Sequence, residues 1–139
     1  MYTLAVDPGV HTGVALLNPQ GDVVWTLTCE DPYDELTAAL REYQDAELAT
    51  EPAPPTRHYQ EVYATVFGLV TQEAGDRTVH LIRPSEWKNH PFCNLLSTKF
   101  ATKHEAEAVG IGRALTLRRQ RGEIGPADPS PDREHQKSS

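Results

Sequence analysis

The chain has 139 residues, 38% of them hydrophobic, with 11 prolines and 9 glycines. This length suits one domain that buries a core without disulfide or zinc staples. Cys29 and Cys93 form no CxxC or other metal-like pattern, which favours a reduced cytoplasmic protein over a secreted disulfide scaffold. No run reaches the roughly eighteen apolar residues of a membrane helix. No basic residue precedes the first apolar stretch, so a signal peptide is not expected either.

The charge is unevenly distributed along the chain. The net charge of −7 by itself argues against a nucleic-acid partner. However, residues 1–75 hold twelve acidic and two basic residues, whereas residues 77–121 hold nine basic and three acidic ones. A basic half on an acidic chain is typical of a local surface that contacts phosphates. Solvated helix faces of opposite sign would give the same pattern.

The first part of the chain predicts three strands. Residues 2–7 (YTLAVD), 12–18 (TGVALLN) and 23–29 (VVWTLTC) are apolar or rich in β-formers. The sequence PQGD at 19–22 predicts a hairpin turn between the second and third strands. Three strands joined by short turns should form an antiparallel meander.

The rest of the chain alternates helices and strands. Asp31 and Pro32 predict the N-cap and first position of a helix, with Leu36, Leu40 and Tyr43 at helical spacing. The further predicted elements are a strand at 46–52, a helix at about 56–74, a strand at 78–84, a loop at 85–94 and a helix at about 97–119. The side chains predicted to face inward from these two helices are Val62, Val66, Leu69, Val70, Ala108, Ile111 and Leu115.

The order of these elements predicts an α/β fold. The order βββ-α-β-α-β-α fits a five-stranded mixed sheet with helices on its faces, as in the ribonuclease H-like fold, although other α/β folds satisfy it too. Residues 1–121 are expected to form this domain. Residues 122–139 have almost no apolar side chains and are predicted to be a disordered polar tail.

Two of the predicted strands end in a carboxylate. Asp7 ends the first and is followed by Pro8 and Gly9, and Glu51 ends the fourth. If these strands lie side by side, the two carboxylates repel each other, and a cation would relieve that repulsion. An ordinary turn also accounts for the Asp-Pro-Gly sequence.

The last helix adds two further candidate ligands. His104 and Glu107 are three residues apart and therefore share a helix face. With the two strand-end carboxylates they form an oxygen-rich set, which suits Mg²⁺ or Mn²⁺ better than structural zinc. Two such ions about 4 Å apart would clamp a scissile phosphodiester. His104 would either bind a metal or shuttle a proton, and a solvated helix face is the alternative. Glu105 points elsewhere on the helix and is expected to be solvated.

Four stretches of the sequence resemble the RuvC-type Holliday junction resolvases, in particular the short phage-like members. They are LAVDPGVHTGVALLN (4–18), AELATEPAP (46–54), LIRPSEWKN (81–89) and TKHEAEAVGIGRAL (102–115). With the helix between the second and third stretches, they span about residues 2–117. The DPGxxTG stretch alone is moderately specific. Followed in order by an E-P strand end, a PSxWK loop and an H-x-x-[DE]-A helix, it becomes a strong indication.

The resemblance implies a dimeric, Mg²⁺-dependent endonuclease, with Mn²⁺ able to substitute, that nicks two opposed strands of a four-way DNA junction. It also implies a cytoplasmic location, in a bacterial cell or a phage-infected host. The family's catalytic metal-binding positions fall on Asp7, Glu51, His104 and Glu107. Glu107 stands where Asp is usual, and its extra methylene affects ion spacing or metal preference. Shortened loops predict a broader choice of branched DNA, including flaps and forks.

Several residues of the basic half are predicted to contact DNA. An aromatic ring beside a cation, as in Trp87 and Lys88, suits base stacking and phosphate contact. A buried Trp87 that anchors its loop is the alternative. The other predicted contacts to the DNA backbone are Lys99, Lys103, Arg113, Arg118, Arg119 and Arg121. Because phosphate contacts would supply most of the affinity, binding should weaken steeply between low and moderate salt.

Three other functions share features with this sequence. RNA-processing nucleases of the same fold share a D-x-G turn near the N-terminus, but their later acidic motif is not visible in this sequence. Sugar-kinase or actin-like ATPases share a D-x-G-x-x-x-G loop, but they need two domains to enclose a nucleotide. A non-catalytic junction-binding protein would not need ligand-capable residues at all four acidic-site positions.

Overall fold

The computed structural model describes residues 1–52, 57–93, 100 and 102–124. Its strands are β1 (Thr3–Asp7), β2 (Thr12–Leu17), β3 (Val23–Cys29), β4 (Glu47–Thr50) and β5 (Val79–Leu81). Its helices are α1 (Pro32–Glu42), α2 (Arg57–Ala74), α3 (Pro84–Trp87) and α4 (Lys103–Gln120). The predicted order of elements is confirmed, with α3 as an addition.

The five strands form one mixed sheet in the order β3-β2-β1-β4-β5. The pairs β1–β2 and β2–β3 are antiparallel, which confirms the predicted meander. Gly21 makes the turn between β2 and β3 with φ of 87°, a value that favours glycine. The pairs β1–β4 and β4–β5 are parallel. Because parallel strands point the same way, the C-terminal ends of β1 and β4 meet at one edge of the sheet.

Capping residues fix the start of two helices. The Asp31 side chain accepts a hydrogen bond from the Tyr33 N–H, as predicted for the N-cap of α1. The predicted start of the last helix at about residue 97 is wrong for the residues described there. Thr102 is extended, with φ −141° and ψ 162°, and its side chain accepts from the Glu105 N–H. A threonine in this conformation caps α4, so the helix begins at Lys103.

The predicted loop at 85–94 contains a short helix at its start. Pro84 stands at the beginning of α3, where its fixed φ and missing N–H carry no penalty. Trp87 at the end of α3 is buried. Residues 94–99 and residue 101, which include the predicted DNA contact Lys99, lie outside the described residues.

The two faces of the sheet bury different kinds of side chain. Along β1, Leu4 and Val6 face α1 and α2, in a core that includes Leu36, Leu40, Val66 and Val70. Ala5 alternates to the other face and packs with α3 and α4 residues, which include Ala114 and the predicted inward-facing Ile111 and Leu115. The second face therefore carries smaller strand residues, and a helix can approach it closely.

Glycines allow this close approach of α4 to the sheet. A Cβ at Gly13 of β2 would overlap the carbonyl oxygen of His104. A Cβ at Gly112 of α4 would overlap the Leu17 side chain and lie 3.2 Å from the Ala5 Cβ. At Gly13 the sheet meets the backbone of α4, and at Gly112 the helix backbone meets side chains of the sheet, so the two contacts fix the position of α4 along its length.

The C-terminal end of α4 is closed by a glycine. Gly122 has φ of 74°, and the Glu123 N–H donates to the Arg118 carbonyl at 2.9 Å. Ile124 then packs against the core beneath α4. The predicted polar tail falls almost wholly on residues 125–139, which lie outside the described residues. Within the described part of the chain, no helix is both long and apolar enough to cross a membrane.

Candidate metal centre at the ends of β1, β4 and α4

The pairing of β1 with β4 places the two predicted strand-end carboxylates side by side. The register pairs Val6 with Thr50, so Asp7, the last residue of β1, and Glu51, the first residue after β4, lie at the same level. Asp7 is 4% exposed, whereas Glu51 is half-buried. Side chains alternate along strands, so both residues fall on the face that carries Ala5 and packs against α4.

The first two turns of α4 bring the other two predicted ligands to the same place. His104 and Glu107 share a helix face, as their spacing predicted. Gly13 lies opposite Asp7 in the β1–β2 pair, and its missing Cβ is what lets the His104 backbone come so close. The site is therefore built by three elements that meet: the ends of β1 and β4 and the start of α4.

Three of the four predicted ligands form a tight cluster. Asp7, His104 and Glu107 each present one ligand atom, and these atoms all lie within 4.8 Å of one another. The His104 Nδ1 lies 3.5 Å from the Asp7 Oδ2. Glu51 is not in this cluster, but its charge acts on Asp7. The geometry thus gathers three ligands around one point and leaves the fourth beside them.

The electrostatics of Asp7 show how crowded the acids are. The pKa of Asp7 is raised from 3.8 to about 9, with burial as the largest cause, followed by a hydrogen bond and negative charge from Glu107 and by the charge of Glu51. Lys103 acts in the opposite direction. A carboxyl group in this position holds its proton unless a cation stabilises the charged form.

The pKa of Glu51 is also raised, with burial as the largest cause. The Trp87 indole N–H donates to the Glu51 Oε1 at 3.2 Å, which lowers the pKa. Glu107 raises it by repulsion and Lys88 lowers it by attraction. The two lysines near the acids, Lys88 and Lys103, are neighbours that the sequence spacing did not predict.

This donor set fits a divalent cation with a preference for oxygen. Two carboxylates and an imidazole converge, one of the carboxylates is buried, and a third carboxylate lies nearby. Mg²⁺ and Mn²⁺ take such ligands, whereas structural zinc sites are usually closed by thiolates and imidazoles. The residues present are therefore suited to the predicted metal.

The expectation that Glu105 is solvated is wrong. Glu105 is 5% exposed, and its carboxylate accepts hydrogen bonds from the hydroxyls of Thr26 and, at 2.6 Å, Thr28. Its own N–H donates to the Thr102 hydroxyl. Glu105 does point away from the His104 face, but the surface it meets is β3 rather than water. It fastens the first turn of α4 to the sheet.

Three arginines of α4 that were predicted to contact DNA are engaged inside the protein. Arg113 donates from Nε to the Gly21 carbonyl at 2.8 Å and from Nη1 to the Phe92 carbonyl at 3.0 Å. Its guanidinium also lies 4.7 Å from the centre of the Phe92 ring. Arg113 therefore holds the β2–β3 turn and the segment after α3 against the helix.

The two arginines near the end of α4 are paired with glutamates. Arg118 donates from Nε to Glu86 Oε2 at 2.8 Å and from Nη2 to the Leu81 carbonyl at 2.8 Å. Arg119 forms an ion pair with Glu47. Much of the positive charge on α4 is therefore engaged by partners within the protein, where it stabilises packing rather than binding a ligand. Arg121, the next cation, is exposed.

Trp87 takes the buried alternative, so its predicted role in base stacking is wrong for this structure. It is 4% exposed and packs with Ile82, Cys93 and Ile111. Lys88 is exposed, with its Nζ 5.5 Å from the centre of the Trp87 ring. Lys103 is exposed as well. Both lysines lie close enough to act on the carboxylates, so they stand at the rim of the cluster.

Sequence reasoning missed the contacts of Thr26, Thr28 and His11. The His11 ring lies 5.7 Å from the His104 ring, between centroids, and is exposed. The alternation of β3 places Thr26 and Thr28 on one face, which was a usable signal for a polar partner. Nothing local in the sequence pointed to Glu105 as that partner, since it is distant in the chain.

Fold and site together define an α/β domain with a carboxylate–imidazole cluster at the C-terminal edge of β1 and β4. Among the solved structures that share this fold are two of RuvC. One is Thermus thermophilus RuvC in complex with a Holliday junction substrate, at a TM-score of 0.67 and 14% identity, covering 88% of this chain and 97% of that chain. The other is a Thermus thermophilus RuvC structure, at a TM-score of 0.65 and 15% identity, with the same coverage of 88% and 97%.

The comparisons by sequence give a different result. No protein-family model matches the chain, and no curated protein matches it either. At 14–15% identity the structural likeness establishes the fold. The predicted ribonuclease H-like fold is thereby confirmed, and the resemblance to RuvC-type resolvases is supported at the level of the fold.

Proposed function

We propose that this protein is a divalent-metal-dependent endonuclease that cuts four-way DNA junctions and related branched DNA. The observation that carries the proposal is the cluster of Asp7, His104 and Glu107, within 4.8 Å of one another, with Glu51 beside it. The fold shared with RuvC in complex with a Holliday junction substrate supports the choice of substrate. Such DNA would be met in the cytoplasm of a bacterial cell or a phage-infected host.

The roles of the four residues follow from their positions. Asp7 and Glu107 supply carboxylate oxygens, and His104 supplies an imidazole nitrogen to the same point. Glu51 supplies a further carboxylate from β4. A divalent ion held there would activate water and stabilise the leaving oxygen of a phosphodiester. Asp7 must give up the proton that burial and its acidic neighbours hold on it, so deprotonation of Asp7 accompanies metal binding.

The rim of the cluster is suited to a phosphate backbone. Four ligand-capable residues include three acids, which would repel DNA if nothing opposed them. Lys88 and Lys103 are exposed and act on Glu51 and Asp7 respectively. We infer that these two lysines, rather than the arginines of α4, guide a DNA strand to the cluster by phosphate contact.

The test is cleavage of a synthetic four-way DNA junction in Mg²⁺ and in Mn²⁺. Linear duplex, a flap and a structured RNA are assayed beside it, with Asp7→Asn as the matched variant. We expect paired, symmetric nicks in the junction, which require two copies of the site and so also test the proposed homodimer. Asp7→Asn keeps the size of the side chain but removes its charge, so cleavage should fall by roughly 10³-fold, the equivalent of several kcal/mol of barrier.

The other outcomes separate the alternatives. Cutting of the flap and the junction alike would indicate a broader debranching nuclease. Preferred cutting of the RNA would replace the DNA substrate by RNA. Junction binding without cleavage in either metal would contradict the catalytic proposal and leave a junction-binding protein.

A further inference from the structure

We propose that Trp87 is a positioning residue that holds Glu51 at a fixed distance from helix α4. The inference rests on the proposed function, because it assigns Glu51 to the metal centre. It concerns a residue whose ring is buried and therefore acts through Glu51 rather than on the DNA itself.

One edge of the indole ring is bound to the carboxylate. The Trp87 Nε1–H donates to the Glu51 Oε1 at 3.2 Å. An indole nitrogen is a donor only, so it orients a carboxylate without competing for a cation. One oxygen of Glu51 is thereby engaged, and the lone pairs of the other are left to a ligand. Partners of this kind commonly orient metal-binding carboxylates.

Another edge of the ring lies against the backbone of α4. A Cβ at Gly110 would lie 2.7 Å from the Trp87 Cε3 and 3.0 Å from its Cδ2. Gly110 is three residues after Glu107 and so shares its side of the helix. The ring thus extends from the Glu51 carboxylate to the helix that carries Glu107, and its width sets how far apart these two acids lie.

The surroundings keep the ring in this place. Trp87 is 4% exposed and packs with Ile82 from beyond β5 and Ile111 from α4. A ring that is closely packed on its apolar edges has little freedom to turn its N–H away from Glu51. Trp87 therefore couples the end of β4 to α4 through a rigid side chain.

The chain offers a matched control in its other tryptophan. Trp25 also donates its indole N–H, in this case to the Tyr43 hydroxyl at 3.1 Å. It packs against the opposite core, between the sheet and α1 and α2. Replacing either tryptophan by phenylalanine removes one N–H donor and part of one ring, but only Trp87→Phe removes the contact to Glu51.

The first experiment examines the hydrogen bond in the full chain without metal, by NMR of the two indole N–H groups. We expect Glu51→Ala to move the Trp87 resonance and to speed its exchange with solvent, while the Trp25 resonance stays in place. A Trp87 resonance that does not respond to Glu51→Ala would overturn the inference, whatever the protein does to DNA.

The second experiment measures Mn²⁺ affinity by calorimetry and junction cleavage for Trp87→Phe and Trp25→Phe. We expect Trp87→Phe to weaken Mn²⁺ binding about 10- to 100-fold and to lower kcat more than it raises KM for the junction. Trp25→Phe should change neither. Gly110→Ala, which pushes on the ring and leaves its N–H intact, should weaken Mn²⁺ binding in the same direction.

The outcomes keep this inference apart from the proposed function. If Trp87→Phe weakens Mn²⁺ binding but the wild-type protein cuts no branched DNA, the positioning role stands and the proposed substrate fails. If the wild-type protein cuts the junction and folded Trp87→Phe binds Mn²⁺ and cuts as well as Trp25→Phe, the positioning role fails. If Trp87→Phe does not fold, Gly110→Ala and the metal-free NMR measurement decide.

Discussion

Strand β4 begins with one glutamate and is followed by another, and the protein surrounds these two residues in opposite ways. Glu47, where the strand begins, is paired with Arg119 and lies 3.5 Å from the His80 Nε2. Glu51, just after the strand ends, is half-buried among like charges, and its pKa is raised by burial and by Glu107. The charge of Glu47 is balanced by basic side chains of the protein, whereas a bound cation would stabilise the charged form of Glu51.

Helix α4 repeats the contrast between its own two ends. Its last turns present Arg118 and Arg119 to glutamates of other elements. Its first two turns present His104 and Glu107 to the buried Asp7. The arginines of the last turns thus meet carboxylates, whereas the Glu107 carboxylate lies beside another carboxyl group, that of Asp7. Both ends of α4 carry charged side chains, and the charges of their neighbours distinguish the two ends.

Among the substitutions that test this contrast, Gly13→Ala should have the largest effect. Gly13→Ala would drive a methyl group into the His104 carbonyl and to 3.1 Å from the Glu105 N. We expect Mn²⁺ affinity and junction cleavage to fall at least about 100-fold and the free energy of unfolding to fall by about 1–3 kcal/mol. Calorimetry and chemical denaturation measure the two effects.

The matched control for Gly13→Ala is Gly68→Ala in α2. A Cβ at Gly68 would meet nothing within 4 Å, so the substitution should raise stability by up to about 1 kcal/mol and leave Mn²⁺ binding unchanged. Wild-type Mn²⁺ affinity in Gly13→Ala would mean that the close approach of α4 does not build the cluster.

The buried Asp7 should also make the stability of the metal-free protein depend on pH. Asp7 ionises near 3.8 in the unfolded chain and near 9 in the folded one, so the folded state binds the extra proton between these values. Its stabilising contribution is full below 3.8 and is lost as pH rises towards 9. Between about pH 6 and pH 8, we expect the free energy of unfolding to fall by up to about 1.4 kcal/mol per pH unit.

The measurement is urea denaturation in a chelator, with Asp7→Asn as the comparison. The variant has no group to ionise at this position, so its curve should lack this slope. For the same reason the Mn²⁺ affinity of the wild-type protein should rise with pH up to about 9. Parallel stability curves for the two proteins would show that Asp7 is already ionised in the folded state.

The smallest expected effects come from substitutions at the two ends of α4: one should lower stability and the other should weaken DNA binding. Arg119→Met removes one of two basic neighbours of Glu47 and leaves His80 as the other, so stability should fall by about 1–3 kcal/mol with little change in junction affinity. Lys103→Met removes an exposed charge at the cluster, so stability should stay within about 0.5 kcal/mol. Junction affinity should fall, and the dependence of log affinity on log salt should become less steep by about 0.9.

Denaturation and binding at several salt concentrations measure both variants of α4. Two results would contradict this assignment. Weaker, less salt-dependent junction binding in Arg119→Met, with unchanged stability, would place Arg119 in the DNA interface. Unchanged junction binding in Lys103→Met would show that Lys103 does not face the substrate.

The sequence by itself determined the parts of this protein that depend on neighbours a few residues apart. Alternation and turn residues located the strands and placed Asp7 and Glu51 at strand ends. Helical spacing put His104 and Glu107 on one face, and a short polar side chain before Pro32 marked the start of α1. These signals are reliable because backbone hydrogen bonds and side-chain periodicity act over one or two turns.

Only the tertiary structure decided which charges meet. Arg118 reaches Glu86 across 32 positions of sequence, Arg119 reaches Glu47 across 72, and Arg113 reaches Gly21 across 92. Glu105 likewise finds its hydroxyl partners 77 and 79 positions away, on β3. A charged side chain carries no local mark of whether its partner is water, a ligand or a distant residue. That choice depends on how closely α4 packs on the sheet, and two glycines without side chains set that distance.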